Sequence, residues 1–232
     1  MKVKIFADGA NEQSMIERNN SELISGLTTN PTLMRKAGIA DYKTFALEVL
    51  SQIKEKPISF EVFSDELAEM KRQAVEISSW GENVYVKIPI TNSLRESTAG
   101  VIDYLVQQSI KVNVTALMTT EQVVKIAKVL DGSVPSYVSV FAGRIADTGR
   151  DPESIMVESL EALKNLAYTE LIWASPRELL NVFQAESIGC HIITATSDIL
   201  NKIKLIGYNL DDYSLDTVKM FKNDAAAAGY RI

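Results

Sequence analysis

Apolar residues recur along the chain in eight short runs, and each run is followed by a stretch whose apolar residues have helical spacing. The runs lack the strict polar alternation of a strand with one wet face, which indicates a sheet covered by helices on both sides. This pattern is typical of parallel strands joined by helical crossovers. The eight predicted strands span residues 2–7, 23–27, 58–63, 84–90, 112–117, 137–142, 170–174 and 191–196.

Several predicted helices begin with recognisable capping chemistry. Thr119 and Gln122 have capping-box spacing, and residues 151–152 supply an Asp N-cap and a first-turn proline. Residues 175–178 repeat the capping-box spacing and predict a helix that starts at Pro176.

Three further segments complete the prediction. Residues 143–150 predict a polar loop, and residues 214–229 predict a closing helix. The helix after the fourth strand is expected to carry one apolar side, made of Leu94, Val101, Ile102 and Leu105.

The order of these elements predicts the fold class. Eight strand–helix units in 232 residues, with no linker or low-complexity segment between them, favour a closed (β/α)8 TIM barrel over an open doubly wound sheet. No G-x-G-x-x-G or Walker loop follows any strand, which lowers the nucleotide-binding alternative. We therefore expect one α/β domain over residues 1–232, in which residues from about 208 to 232 form a C-terminal helical arm.

Composition narrows the functional classes. The net charge of −6 and a pI near 5.0 give no basic footprint for nucleic acid or an anionic membrane. No apolar run reaches membrane-spanning length, and the first residues lack a signal-peptide core. One cysteine and one histidine exclude a disulfide and a Cys/His metal cluster. A metal-free cytoplasmic protein is expected.

Lys87 is the unusual residue of the fourth predicted strand, because it stands inside an otherwise apolar run. Lysine is almost never fully buried without a partner or a function. Burial favours the neutral form of an amine, and a neutral amine is a nucleophile toward carbonyls. The alternative is that Lys87 reaches outward to water.

The other predicted strands around Lys87 also carry polar residues within the strand or at its end. Each such residue has a structural alternative, such as a loop cap for Asp8 or an Asx-turn for Asn30. Together they are better explained by one pocket, because a barrel carries its chemistry at the carboxyl ends of its strands. The residues within or at the ends of six successive strands are Asp8, Asn30, Glu61, Lys87, Asn113, Thr115, Ser139 and Arg144.

The residue types suggest imine chemistry on a phosphorylated sugar. With no metal cluster, Lys87 points to an imine with a ketone or aldehyde, and Asp8 and Glu61 are available for the proton transfers. Thr115 is a candidate to hold a water, and Asn30 and Asn113 suit sugar hydroxyls. Arg144 and Arg177 are candidates for a phosphate clamp, helped by Ser175 and the amides of the helix predicted at Pro176.

At these residues the chain strongly resembles the transaldolase family, in the small subfamily that also contains fructose-6-phosphate aldolases. The matching pieces are residues 26–31 (GLTTNP), 84–89, 113–115, 139–145 (SVFAGRI) and 174–177. They occur in the family's order and spacing, so the resemblance covers essentially the whole chain.

The resemblance implies a (β/α)8 barrel in which Lys87 forms a Schiff base. It also implies that Asp8 acts at the hydroxyl whose deprotonation cleaves the carbon–carbon bond. Glu61, with Thr115 and a water, would move protons during imine formation and hydrolysis. No cofactor is implied, because the protonated imine is the electron sink. The substrate-binding residues implied are Thr28, Asn30, Asn113, Ser139, Phe141, Arg144, Ser175 and Arg177.

Two positions separate the activities of this subfamily. The aldolases carry glutamine where this chain has Glu61, and tyrosine where it has Phe141. The resemblance therefore implies a transaldolase of the non-oxidative pentose phosphate pathway. It would move a dihydroxyacetone unit from sedoheptulose 7-phosphate or fructose 6-phosphate to glyceraldehyde 3-phosphate or erythrose 4-phosphate. The alternatives are a fructose-6-phosphate aldolase that releases free dihydroxyacetone, or a barrel that binds sugar phosphates without reaction.

The chain departs from the family at two places. Gly9 follows Asp8 where threonine or serine is usual, and Pro176 stands where an aromatic or other apolar residue is common. The final helix resembles an arm that small transaldolases pack on a neighbouring subunit in pentamers and decamers, which implies a homo-oligomer. The alternative is a helix that covers its own barrel.

Overall fold

Eight parallel strands close into a barrel in the computed structural model, which describes residues 2–231. Each strand pairs with the next one in the chain, and the eighth pairs with the first. The predicted (β/α)8 barrel is therefore confirmed, with strand ends within two residues of those expected. The strands are β1 (Lys4–Asp8), β2 (Ile24–Thr28), β3 (Ile58–Glu61), β4 (Val84–Pro89), β5 (Val112–Leu117), β6 (Ser136–Val140), β7 (Thr169–Trp173) and β8 (Ile192–Thr196).

Helices follow the strands and cover the outside of the sheet, so that consecutive parallel strands are joined by crossovers. Their buried residues lie on one side of each helix, as Met70, Ala74 and Ile77 do in the helix after β3. The helices are α1 (Glu12–Asn19), α2 (Pro31–Lys36), α3 (Tyr42–Gln52), α4 (Leu67–Ser78), α5 (Ala99–Gln107), α6 (Thr120–Ala127), α7 (Ala142–Ala146), α8 (Glu153–Leu163), α9 (Leu180–Ser187) and α10 (Ser197–Leu200).

The chain divides into two compact units, one up to Leu200 that holds the barrel and one from Asn201 onward. The second unit contains a 3-10 turn (Ile203–Leu205) and α11 (Leu210–Ala228). α11 begins four residues earlier than predicted because the Asn209 side chain accepts hydrogen bonds from the N–H groups of residues 211–212. None of the helices within residues 2–231 is both long and apolar enough to cross a bilayer.

The barrel interior has an apolar layer toward the amino ends of the strands. Tyr85 stacks on Tyr137 with ring centroids 4.1 Å apart, and Phe6 meets Tyr137 edge-on at 5.5 Å. Their strands, β4, β6 and β1, are not neighbours, so these rings meet only inside the barrel. Ile172 and Ile192 join the same cluster. We refer to these five residues as the apolar layer.

The helix start predicted at Pro176 is wrong, because α9 begins at Leu180 with no side-chain cap. Ser175 has a φ of 60°, which takes the chain away from helical geometry. The Asn181 side chain accepts the hydrogen bonds of the N–H groups of residues 177–178, at 2.7 and 3.1 Å. These amides are used inside the loop, so they do not form the phosphate-binding helix terminus that the sequence suggested.

Other local predictions were mixed. The capping box of Thr119 and Gln122 is confirmed, with both of its hydrogen bonds present. Leu94 does not belong to a helix: it is 74% exposed in the loop before α5. The predicted polar loop contains the short helix α7, and α8 begins at Glu153, where its N–H donates to Asp151 Oδ1 at 3.0 Å.

Candidate active site

A cavity of about 500 Å³ opens at the carboxyl ends of the barrel strands. It collects almost every residue that the sequence singled out, although these residues are scattered over residues 8–177. The sequence-predicted residues that line the cavity are Asp8, Thr28, Asn30, Glu61, Lys87, Thr115, Ser139, Phe141, Arg144, Ser175 and Arg177.

Lys87 lies inside the barrel and does not reach out to water, since only 7% of it is exposed. Its Nζ atom is 3.2 Å from Glu61 Oε2 and donates a hydrogen bond to the Thr29 carbonyl oxygen at 3.1 Å. Pairing between β3 and β4 brings Glu61 and Lys87 side by side. The geometry therefore joins a buried amine to a carboxylate that can exchange a proton with it.

Within the described part of the chain, Asp8 and Glu61 supply the carboxyl groups that line the cavity. Burial raises the pKa of both. The positive charge of Lys87 acts in the opposite direction on each. Asp8 also accepts a hydrogen bond from Thr28 Oγ1 at 2.9 Å. Two carboxyl groups whose burial favours the protonated form are suited to general acid–base work.

The Thr115 hydroxyl is buried, yet its Oγ1 has no hydrogen-bond partner among residues 2–231. Buried hydroxyls without partners are uncommon in folded proteins. β5 is irregular at this point: the register of pairing with β6 shifts between Val114 and Leu117, and Ala116 has a φ of 62°. Thr115 and Ala116 both line the cavity, so this hydroxyl is available to a water or a substrate atom there.

Asn113 is not among the residues that line the cavity. It is fully buried, its Nδ2 donates to Ser59 Oγ at 2.9 Å, and its Oδ1 accepts from Ser139 Oγ at 2.7 Å. Asn113 therefore holds Ser139, which does line the cavity. Its predicted direct contact with substrate stays a prediction.

Asn30 lines the cavity and also caps a helix. Its Oδ1 accepts a hydrogen bond from the Leu33 N–H at 3.0 Å, at the start of α2. Asn30 thus has a local structural role, as the Asx-turn alternative predicted in part, because the helix cap uses its side-chain oxygen.

Arg144 and Arg177 bring positive charge to the cavity. The guanidinium of Arg144 lies 5.6 Å from the centre of the Phe141 ring, a cation–π arrangement. Arg177 is paired with Asp147, whose Oδ1 accepts from Arg177 Nε at 2.9 Å. The Asp147 carboxylate holds one of the two guanidinium groups beside the cavity, and Arg177 in turn lowers the pKa of Asp147.

Gly143 is required by the close approach of the loop that carries Ser175. A Cβ at position 143 would overlap the Ser175 carbonyl oxygen. Glycine here allows the chain after β6 and the chain after β7 to touch beside the cavity.

Sequence reasoning missed Thr32 on α2 and two further hydroxyl residues of the cavity on β8, Thr194 and Thr196. The two β8 residues alternate with Ala195, and residues two positions apart on a strand share a face. Since Thr196 pairs with Asp8 in the register of β1 and β8, this periodicity was the signal that could have found these two residues.

Fold and site together define a barrel enzyme with an amine, two carboxyl groups and two guanidinium groups at one cavity. The chain belongs to the transaldolase/fructose-6-phosphate aldolase family, whose profile matches residues 5–232. This agrees with the resemblance found in the sequence motifs.

Individual relatives cover most of the chain. A probable transaldolase from Thermoanaerobacter sp. (strain X514) is 34% identical over 99% of this chain and 100% of its own. One from Dehalococcoides mccartyi is 34% identical over 85% and 88% of the two chains. A solved structure described as QR15, an aldolase, shares the fold, with a TM-score of 0.56 and 13% identity over 88% of this chain and 96% of that one.

Proposed function

We propose that this enzyme is a transaldolase that transfers a dihydroxyacetone unit between sugar phosphates through a Schiff base on Lys87. The observation that carries the proposal is the burial of the Lys87 amine beside Glu61 in a cavity that also holds Asp8. The names of the relatives, probable transaldolases, support the same activity.

The reaction begins with attack of the Lys87 amine on the keto carbon of the donor sugar. The amine must be neutral to attack, and Glu61, 3.2 Å away, takes its proton. Loss of water from the carbinolamine then forms the protonated imine. A water held between Glu61 and the unpartnered Thr115 hydroxyl would carry protons in this step and in its reversal.

Asp8 then cleaves the carbon–carbon bond. It removes the proton of the hydroxyl next to the breaking bond, the aldehyde product leaves, and the electron pair passes into the protonated imine. The three-carbon unit stays on Lys87 as an enamine until it attacks the aldehyde of the acceptor, which regains the proton from Asp8. Hydrolysis of the new imine releases the product.

Two features favour transfer over release of free dihydroxyacetone. Release requires a proton donor at the enamine carbon, and the Phe141 ring at the cavity has no proton to donate. Phe141 and Glu61 also stand at the two positions where, in the resemblance above, the aldolases carry tyrosine and glutamine. Arg144 and Arg177 would bind the phosphate group, so Arg177 must be shared with or released by Asp147.

Borohydride trapping tests the covalent step. With fructose 6-phosphate, reduction is expected to leave a three-carbon adduct on the peptide that contains Lys87, read by mass spectrometry. Lys87→Met gives the matched control, and Lys111→Met, on the opposite end of the barrel, should trap normally. An adduct elsewhere, or none, would contradict the mechanism.

An assay without acceptor tests the transfer. Glyceraldehyde 3-phosphate should appear from fructose 6-phosphate as a burst of about one equivalent per active site and then stop, and erythrose 4-phosphate should restart the reaction. Steady release without acceptor would instead identify an aldolase.

We also propose assembly into a pentamer or decamer through the final helix. α11 carries large exposed apolar side chains, among them Leu215, Val218 and Phe221. Light scattering of the purified protein should give five or ten times the 25.7 kDa chain mass. A monomer would contradict this.

A further inference from the structure

Tyr42, at the start of α3, binds the main chain of Glu61 through its side-chain hydroxyl. The hydroxyl donates to the Glu61 carbonyl oxygen at 3.0 Å and accepts from the Glu61 N–H at 2.8 Å. A phenol can do both at once, since it has one proton and a free lone pair. Tyr42 does not line the cavity, and no sequence motif pointed to it.

The hydroxyl fills a gap in the barrel sheet between β2 and β3. The ladder runs from the Leu27 N–H to the Pro57 carbonyl and from the Thr29 N–H to the Ser59 carbonyl. Its next step would take the N–H of residue 31 to the Glu61 carbonyl, but residue 31 is a proline and has no N–H. Tyr42 supplies the missing donor.

Because Tyr42 takes the place of a strand partner, the Thr29 carbonyl group is free to bind Lys87. In a regular parallel ladder the Glu61 N–H would bond to the Thr29 carbonyl. Here the Glu61 N–H bonds to Tyr42, and the Thr29 carbonyl accepts from Lys87 Nζ at 3.1 Å. Lys87 Nζ contacts the Thr29 carbonyl on one side and the Glu61 carboxylate on the other. The position of both groups depends on the point at which β2 and β3 stop pairing.

The Tyr42 ring is itself held firmly. It meets Phe60, Phe63 and Trp80 edge-on, with centroids 5.6 to 6.2 Å away. Such aromatic pairs fix the ring plane and therefore the position of the hydroxyl. Burial also raises the pKa of Tyr42, which favours the protonated hydroxyl that donates to Glu61.

We propose that Tyr42 is a positioning residue, whose hydroxyl replaces a strand partner at Glu61 and so holds the Glu61 carboxylate against the Lys87 amine. This inference rests on the proposed imine chemistry, because the Lys87–Glu61 pair is what it positions.

The test is Tyr42→Phe, which removes the hydroxyl and keeps the ring. Misplacement of a catalytic group by a fraction of an ångström lowers rate more than binding, so kcat should fall by about tenfold or more with KM changed by less than about twofold. Tyr137→Phe is the matched control, since it also removes a buried tyrosine hydroxyl but in the apolar layer. It should leave kcat unchanged.

A double-mutant cycle separates positioning from general loosening. In the Glu61→Gln background, Tyr42→Phe should lower kcat by less than about twofold, because the carboxylate it positions is gone. An equal tenfold loss in both backgrounds, or a wild-type kcat in Tyr42→Phe, overturns the proposal.

Borohydride trapping and amide hydrogen exchange of the wild-type protein distinguish the possible failures. Wild-type protein that forms no borohydride adduct would refute the proposed function and this inference together, whereas a normal wild-type adduct with a normal Tyr42→Phe rate refutes the inference alone. If Tyr42→Phe does not fold, amide hydrogen exchange of the wild-type protein decides. The Glu61 amide should be protected as well as that of Val62, which bonds to the Lys87 carbonyl, and a fast-exchanging Glu61 amide overturns the proposal.

Discussion

The two ends of the barrel interior differ although the same strands build them. On β1, β4 and β6 the apolar layer is formed by Phe6, Tyr85 and Tyr137. Two residues further along each of these strands stand Asp8, Lys87 and Ser139, which line the cavity. Two residues along a strand are therefore enough to pass from a packed aromatic cluster to a set of charged and hydroxyl groups.

The difference separates an end that is packed with apolar side chains from the end at which we propose that the chemistry takes place. The apolar layer contributes buried area and aromatic contacts. The cavity holds groups that are costly to bury: carboxyl groups whose pKa is raised by burial, and a Thr115 hydroxyl without a partner. Substitutions at the two ends should therefore have opposite signatures, in stability at one and in rate at the other.

Lys87→Met is expected to have the largest effect. It removes the proposed nucleophile, so transfer activity should fall by about 10⁴-fold or more. Activity is measured by coupled assay, with circular dichroism to verify folding. A variant that keeps more than a tenth of wild-type activity would mean that another group forms the covalent bond.

Tyr137→Ala tests the opposite end of the barrel. Removal of a buried aromatic ring should lower the free energy of unfolding by about 3–5 kcal/mol, measured by urea denaturation. The protein that stays folded should keep most of its kcat. Tyr137→Phe, which retains the ring, separates the loss of packing from the loss of the hydroxyl. A loss below about 1 kcal/mol would show that the apolar layer does not carry the stability assigned to it.

Glu61→Gln sharpens the comparison within the cavity. The amide keeps the shape but cannot take the proton of Lys87, so kcat should fall by about 100-fold while KM changes by less than about threefold. Glu170→Gln is the control, because Glu170 pairs with Lys4 in a solvent-exposed ion pair at the other end of the strands. Parallel losses in kcat and in substrate affinity would reduce Glu61 to a structural residue.

The smallest of these effects should be the effect of Asp8→Asn on stability alone, a change in how stability depends on pH. Burial raises the folded-state pKa of Asp8 above its unfolded value, so wild-type protein loses stability as pH rises through the folded pKa. Asparagine does not titrate. The variant should therefore melt at a higher temperature than wild type at pH 7, with the gap closing toward pH 3. Differential scanning calorimetry at several pH values measures this, and a gap that widens on acidification would reverse the sign.

Much of the site was predictable because the strands of a (β/α)8 barrel all end at the same side. Polar residues at the strand ends are therefore brought together there. A lysine inside an apolar run, with polar residues at the ends of the neighbouring strands, indicated one pocket at the carboxyl ends. Lys87, Glu61 and Asp8 do lie at one cavity. Asn113 differed because two serines, Ser59 and Ser139, satisfy its amide below the cavity, and their hydrogen bonds depend on three strands meeting.

The sequence by itself determined the eight strand–helix units, the buried lysine and the residue types that surround it, because these follow from local periodicity and from the cost of burying charge. Only the tertiary structure decided where α9 begins, that Asp147 holds Arg177, and that Tyr42 replaces a strand partner at Glu61. These features depend on contacts between segments distant in the chain. Local propensity carries no information about such contacts, because they form only in the folded barrel.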